Sequence, residues 1–265
     1  MPMIDVNQTQ LYYELEGPDQ APVVMLSNSL ASNLHMWDEQ VPSLVEAGFR
    51  VLRYDSRGHG QSAVPNGPYS MDMLALDAVG LLDALGLDKV FFCGLSKGGM
   101  VGQKLGVDHP ERISALVLCS TSAHMGPPQT WDERIRAVQE NGMQAVVDAT
   151  INRWFTSAGQ QRLPERVETV RRMVFHTPVQ GFCASCEAIR DMDQREAIAS
   201  ITLPTLVMVG EHDQGTTVSH AEFIHRQIAS SKLRIIPDAT HMINMEQKNK
   251  FTGFLLDFLH SKVSS

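Results

Sequence analysis

Long apolar runs, excess basic charge and cysteine are all scarce in this chain of 265 residues. No stretch of about 18 uninterrupted apolar residues occurs, so no membrane span is expected. Residues 1–10 alternate polar and apolar side chains without a charged leader or an apolar core, so no signal peptide is expected. Lys and Arg number 22 against 30 Asp and Glu, a formal net charge of -8. Phosphate backbones are bound by clustered Lys and Arg, so this balance argues against a nucleic-acid partner.

The four cysteines could form a metal or redox set, since the last two make a CxxC, but their placement favours packing. Cys93 and Cys119 close apolar runs, and Cys183 and Cys186 form a CxxC at helical spacing with no second ligand pair nearby. No metal site is therefore expected, and a reducing cytoplasm is the expected setting.

What is present is 43% hydrophobic, enough for one sizeable core. Short apolar runs at 23–26, 50–54, 90–93 and 115–119 alternate with helical periodicity at 36–47, 70–85 and 100–109. That alternation predicts right-handed βαβ crossovers and a mostly parallel sheet flanked by helices. Upstream, 3–6 and 11–15 predict an antiparallel hairpin. From 122 to 200 no strand-like run interrupts a series of helical segments, which predicts an inserted helical cap. Strand patterns resume at 205–209 and 233–236, and a last helix is predicted over 245–259. The expected layout is core 1–121, cap 122–200 and core 201–265.

Chemistry concentrates where the run Val90-Phe91-Phe92-Cys93 enters Gly94-Leu95-Ser96-Lys97-Gly98 and then a helix. A serine on such a strand-turn-helix elbow projects its oxygen above the sheet, and flanking glycines permit the close approach. Serine needs a base that a carboxylate orients, and in this α/β-hydrolase arrangement the chain order is Ser, acid, His. His241 follows the run at 233–236 through a short loop and is the candidate base. Asp213, in Gly210-Glu211-His212-Asp213 after the run at 205–209, is the candidate acid, with Glu211 as alternative. An oxyanion hole requires two backbone N–H groups. Lys97 is the candidate for one, and Leu30, with Ser29 second, for the other.

Several phrases together resemble the 3-oxoadipate enol-lactonases. They are Leu26-Ser27-Asn28-Ser29-Leu30, Leu34-His35-Met36-Trp37-Asp38, Arg53-Tyr54-Asp55-Ser56-Arg57-Gly58-His59-Gly60 and Gly94 to Gln103. In the predicted cap, Arg153-Trp154-Phe155-Thr156 and Cys186 to Asp193 are also similar. The chain departs from the family at Lys97, where an apolar residue is more usual, and at Met242-Ile243, where a Leu-Ser pair is usual.

The resemblance implies opening of an enol-lactone to 3-oxoadipate in bacterial aromatic breakdown, without a cofactor, through a Ser96 acyl-enzyme. It implies a small anionic lactone as partner, so a cation should meet the carboxylate. The candidates are Arg134, Arg153, Arg190 and Lys97. Ser29, Trp131, Trp154, Met125, Met192 and Met242 are candidates for the pocket wall. The rival readings are a carboxylesterase, another lactonase or a perhydrolase on the same fold, and a ligand-binding protein without catalysis. Dehalogenase and epoxide hydrolase chemistry would require Asp at position 96.

Overall fold

The structure is a computed structural model and describes residues 2–263. Runs rich in Val, Leu and Phe form strands, because branched and aromatic side chains pack well on a pleated surface. The strands are β1 (Met3–Val6), β2 (Thr9–Glu16), β3 (Val23–Ser27), β4 (Arg50–Tyr54), β5 (Val90–Leu95), β6 (Ile113–Cys119), β7 (Thr205–Gly210) and β8 (Ser231–Ile236). They join in one sheet of order β1-β2-β4-β3-β5-β6-β7-β8. β1 and β2 form the antiparallel hairpin, β2 pairs antiparallel with β4, and from β4 to β8 all pairings are parallel. This is the α/β-hydrolase fold. β3, β5 and β7 are buried along their whole length, which explains why they read as continuous apolar runs rather than alternating ones.

The helices are α1 (Val41–Glu46), α2 (Met71–Ala84), α3 (Lys97–Asp108), α4 (Pro128–Asn141), α5 (Gln144–Trp154), α6 (Ser157–Arg162), α7 (Pro164–His176), α8 (Val179–Asp191), α9 (Val218–Gln227), α10 (Ile243–Glu246) and α11 (Lys248–Val263). α4 to α8 occupy the chain between β6 and β7, with α4 against α8 and α5 against α7. Among the described residues, no helix is long and apolar enough to cross a membrane.

Two predicted helices are broken. The segment 36–47 is a 3₁₀ turn, Leu34–Trp37, followed by α1, whose first turn contains Pro42. Proline suits a first helical turn and cannot continue a preceding helix, so the segment divides there. The C-terminal segment divides at Gln247 (φ -124, ψ 51), outside helical geometry, which separates α10 from α11.

Register sets where chemistry can gather. Ser27 lies opposite Gly94, Leu95 opposite Cys119 and Gly210 opposite Ile236. The carboxyl ends of β3, β5, β7 and β8 therefore open on one edge of the sheet, where open α/β sheets place ligands.

Candidate active site

Ser96 is the turn between β5 and α3, with φ 56 and ψ -113. A left-handed φ is costly for a residue with a Cβ and persists only where surroundings impose it. The glycines on either side explain how they do. A Cβ on Gly94 would lie 2.1 Å from the Gly98 carbonyl oxygen, and one on Gly98 would lie 2.2 Å from the Ser27 carbonyl oxygen. The elbow is thus pinned by backbone contacts that only glycine permits.

Asp213, 5% exposed, sits in the loop after β7. Its Oδ1 accepts the N–H groups of Gly215 (2.9 Å) and Thr216 (3.0 Å), and its Oδ2 accepts the Thr216 hydroxyl (2.8 Å). His241 Nδ1 lies 2.8 Å from the same Oδ2. Burial works to raise this carboxyl, but His241 and the Thr216 donors outweigh it and hold Asp213 below the usual carboxylate range. The alternative acid, Glu211, is exposed and lies 3.8 Å from Nε2 of the neighbouring His212. The carboxylate that meets His241 is therefore Asp213. Trp154 stacks on the His241 ring, centroids 5.6 Å apart and planes 27° apart.

Ser96, Asp213 and His241 line one cavity of about 260 Å³ together with Ser29, Leu30, Trp131, Arg134, Arg153 and Trp154. Among the described residues, Ser96 Oγ makes no hydrogen bond to His241.

The loop after β3 presents Leu30 to this cavity. Ser29 N–H is engaged by Met36 Sδ (3.4 Å) and Ala31 N–H by His59 Nε2 (3.1 Å), while Leu30 N–H between them has no protein partner among the described residues. Lys97 N–H, the first of α3, is likewise unpaired, as the opening N–H groups of a helix are. His59 must accept at Nε2, so it is neutral with its proton on Nδ1, toward the Arg57 carbonyl (3.2 Å). Burial pushes its pKa well down, as that role requires.

The expected cations divide sharply. Arg134 is half-buried with its guanidinium over Trp131 (5.6 Å) and Phe182 (5.2 Å), and among the described residues the one hydrogen bond of its side chain is a long one to Thr150 Oγ1 (3.4 Å). Its Nε has no partner. Burial, and then the charge of Arg153, push its pKa down to about 10. Arg153 also lines the cavity and, among the described residues, makes no ion pair or hydrogen bond. Two cavity arginines therefore lack a carboxylate.

Four expectations are corrected. Arg190 is outside the cavity, because Asp132 and Asp191, each at 2.7 Å, hold its guanidinium. Met192 and Met242 do not line the cavity either; both are buried, and the Met242 N–H binds the Trp154 carbonyl (3.1 Å). The Lys97 side chain turns into the protein interior, 1% exposed and with no partner for Nζ, so it does not meet a ligand in the cavity. Sequence reasoning also missed Thr216 and Glu246. Thr216 lies three residues after the acid and carries a visible hydroxyl signal, whereas Glu246 is marked only as a carboxylate in an apolar stretch. Among the described residues, no group of three His, Cys, Asp or Glu side chains is placed to hold a metal.

The family model for the alpha/beta hydrolase fold matches residues 22–248. The chain is 36% identical over 241 residues to 3-oxoadipate enol-lactonase 2 of Acinetobacter baylyi, covering 91% of this chain and 90% of that one. It is 34% identical to 3-oxoadipate enol-lactonase 1 of the same organism, covering 95% and 93%. The crystal structure of the enol-lactonase from Burkholderia xenovorans LB400 superposes with a TM-score of 0.95 at 39% identity, covering 98% of this chain and all of the other.

Proposed function

Because the chain belongs to the 3-oxoadipate enol-lactonase family of the α/β-hydrolase fold, we propose that it hydrolyses a small, carboxylate-bearing enol-lactone through an acyl-enzyme on Ser96. The observation that carries the reading is the pair Arg134 and Arg153, two guanidiniums without a carboxylate, in the same cavity as Ser96 and His241. Arg134 is half-buried with its Nε enclosed and unpaired, a costly state that a ligand carboxylate relieves by charge-assisted hydrogen bonds, and the exposed Arg153 gives the same cavity a second donor. Residues 122–200 act as a cap that supplies these cations.

In this reading, Ser96 Oγ bonds to the lactone carbonyl carbon while His241 Nε2 takes its proton. Asp213 holds the ring with the proton on Nδ1 and stabilises the imidazolium. The tetrahedral oxyanion accepts from the N–H groups of Leu30 and Lys97. Collapse breaks the ring C–O bond and expels an enolate, which leaves more readily than an alkoxide and takes the proton from the His241 imidazolium, giving an enol that tautomerises to the ketone and returning His241 to its neutral form. Water then gives a proton to neutral His241 as its oxygen bonds to the acyl carbon, and collapse breaks the bond to Ser96 Oγ, which takes that proton back from His241 as the second carboxylate is released.

The test is an ultraviolet assay of enol-lactone loss beside a neutral ester of similar size. Arg134→Met is expected to raise KM for the anionic lactone by about 10- to 100-fold and to leave KM for the neutral ester unchanged. Ser96→Ala is expected to lower kcat by on the order of 10⁶. Equal losses on both substrates in Arg134→Met would reject the anionic substrate, and retained turnover in Ser96→Ala would reject the acyl-enzyme.

A further inference from the structure

Glu246, at the end of α10, is 3% exposed, and among the described residues no ion pair reaches its carboxylate. Four hydrogen bonds do. Its Oε1 accepts the backbone N–H of Thr156 (2.8 Å) and the Thr156 hydroxyl. Its Oε2 accepts the backbone N–H of Thr240 (2.9 Å) and the Thr240 hydroxyl (3.2 Å). Thr156 caps α6 in the cap and follows Trp154, the residue stacked on His241, by two positions. Thr240 immediately precedes His241.

The surroundings are built around this carboxylate. A Cβ on Gly159 would lie 2.0 Å from Oε1, so the first turn of α6 must carry glycine there for Glu246 to fit. Two cap arginines hold the carbonyls at the end of α10, Arg162 on Glu246 (3.1 Å) and Arg166 on Met245 (3.0 Å). The N–H of Met242, on the other side of His241, binds the Trp154 carbonyl. His241 is thus held between two residues that are each tied to the 154–156 segment of the cap.

We propose that Glu246 is a positioning residue that joins the cap to the loop of the base, so that the orientation of His241 depends on the seating of the cap at Thr156. This rests on the reading of His241 as base. Each carboxylate oxygen serves one backbone N–H and one hydroxyl, and a backbone N–H cannot turn away. In Glu246→Gln one of the two oxygens becomes an NH₂ group that faces an N–H donor, so one end of the link must open. A carboxylate that served only to satisfy α6 would have no reason to reach Thr240.

The experiment follows the rate at which a small neutral fluorophosphonate labels Ser96, with thermal melts of every variant. Labelling needs the base but not the cap arginines or the lactone. Thr156→Val removes only the cap-side hydroxyl, and is expected to slow labelling and lower kcat by about three- to tenfold, while Thr156→Ser, which keeps the hydroxyl, stays within about twofold. Thr240→Val is expected to act similarly, and the double variant Thr156→Val with Thr240→Val to be less impaired than the product of the two single effects, since both empty the same carboxylate. Glu246→Gln is expected to lose more than either.

If Thr156→Val melts earlier yet labels within about twofold of the wild type, Glu246 is only a latch for α6 and the proposal fails; this outcome is readable even if Glu246→Gln does not fold. Independent, multiplicative effects of the two threonine changes likewise overturn it. Wild-type protein that resists the label removes the base itself and overturns both readings, whereas slowed labelling of Thr156→Val in a protein that ignores the enol-lactone supports the link and rejects only the substrate.

Discussion

Replacing Lys97 with methionine is expected to stabilise the fold, most strongly at low pH. The side chain is fully enclosed, its nitrogen has no hydrogen-bond partner, and burial lowers its pKa from 10.5 to about 7 against the smaller relief offered by Cys186 on α8, Asp55 after β4 and Asp77 on α2. His59, itself pushed down by burial and by this amine, adds no counter-charge. Between about pH 7 and 10.5 the unfolded chain holds a proton here that the folded chain has released, so wild-type stability rises with pH through that window. Below the window both states hold the proton and the folded one bears the full penalty, on the order of 5 kcal/mol for the fall in proton affinity. Methionine keeps the length of the stem and discards the nitrogen. Relaxation around the amine reduces the realised gain, so about 1 to 3 kcal/mol at about pH 6 is expected, or roughly 3 to 10 °C in Tm. Urea melts of wild type and Lys97→Met at about pH 6 and about pH 9 measure the difference, which should shrink at the higher pH. A variant less stable than wild type at about pH 6, or a gap that does not change with pH, refutes the reasoning.

Further outcomes follow from the same geometry. Asp213→Asn should lower kcat by about 10⁴ because the wrong tautomer of His241 is then favoured, while Glu211→Gln stays near wild type; the reverse order in a lactone assay would move the acid to Glu211. Arg190→Gln should leave KM for an anionic lactone within about twofold, since its partners are exposed carboxylates, whereas Arg153→Gln should raise it; similar KM values for the two variants would contradict the placement of these arginines. Gly159→Ala, which at an ordinary helix position stabilises by about 1 kcal/mol, should instead lower Tm, because the new methyl would lie 2.0 Å from Glu246 Oε1; a higher Tm would mean the carboxylate is free to move.

The parts of this site that were legible in the sequence are those whose chemistry demands a local pattern. Ser96 declares itself because the elbow needs glycines on both sides, and Asp213 and His241 because each follows a strand by a short loop. Directions of long side chains were not legible. Lys97 opens a helix beside the nucleophile, and no periodicity tells whether its stem turns toward the cavity or the interior; the packing of α3 against β5 and β6 decides it. Arg134, Arg153 and Arg190 are alike in sequence, and the pairing of Arg190 with Asp132, 58 positions away, together with its neighbour Asp191, separates them. Glu246 depends on Thr156, 90 positions upstream, which no local pattern records. The breaks at Pro42 and Gln247 were missed for a different reason, since apolar periodicity runs on through both.

The stacking of Trp154 on His241 also gives the protein an optical handle. An indole in face contact with an imidazole is quenched when that imidazole gains a proton, so emission from Trp154 reports the charge state of His241. The chain has only two other tryptophans, and Trp37 is fully buried beside Phe251, away from this ring. With Trp37 and Trp131 replaced by phenylalanine, stopped-flow fluorescence can follow protonation of His241 during a single turnover without any added dye.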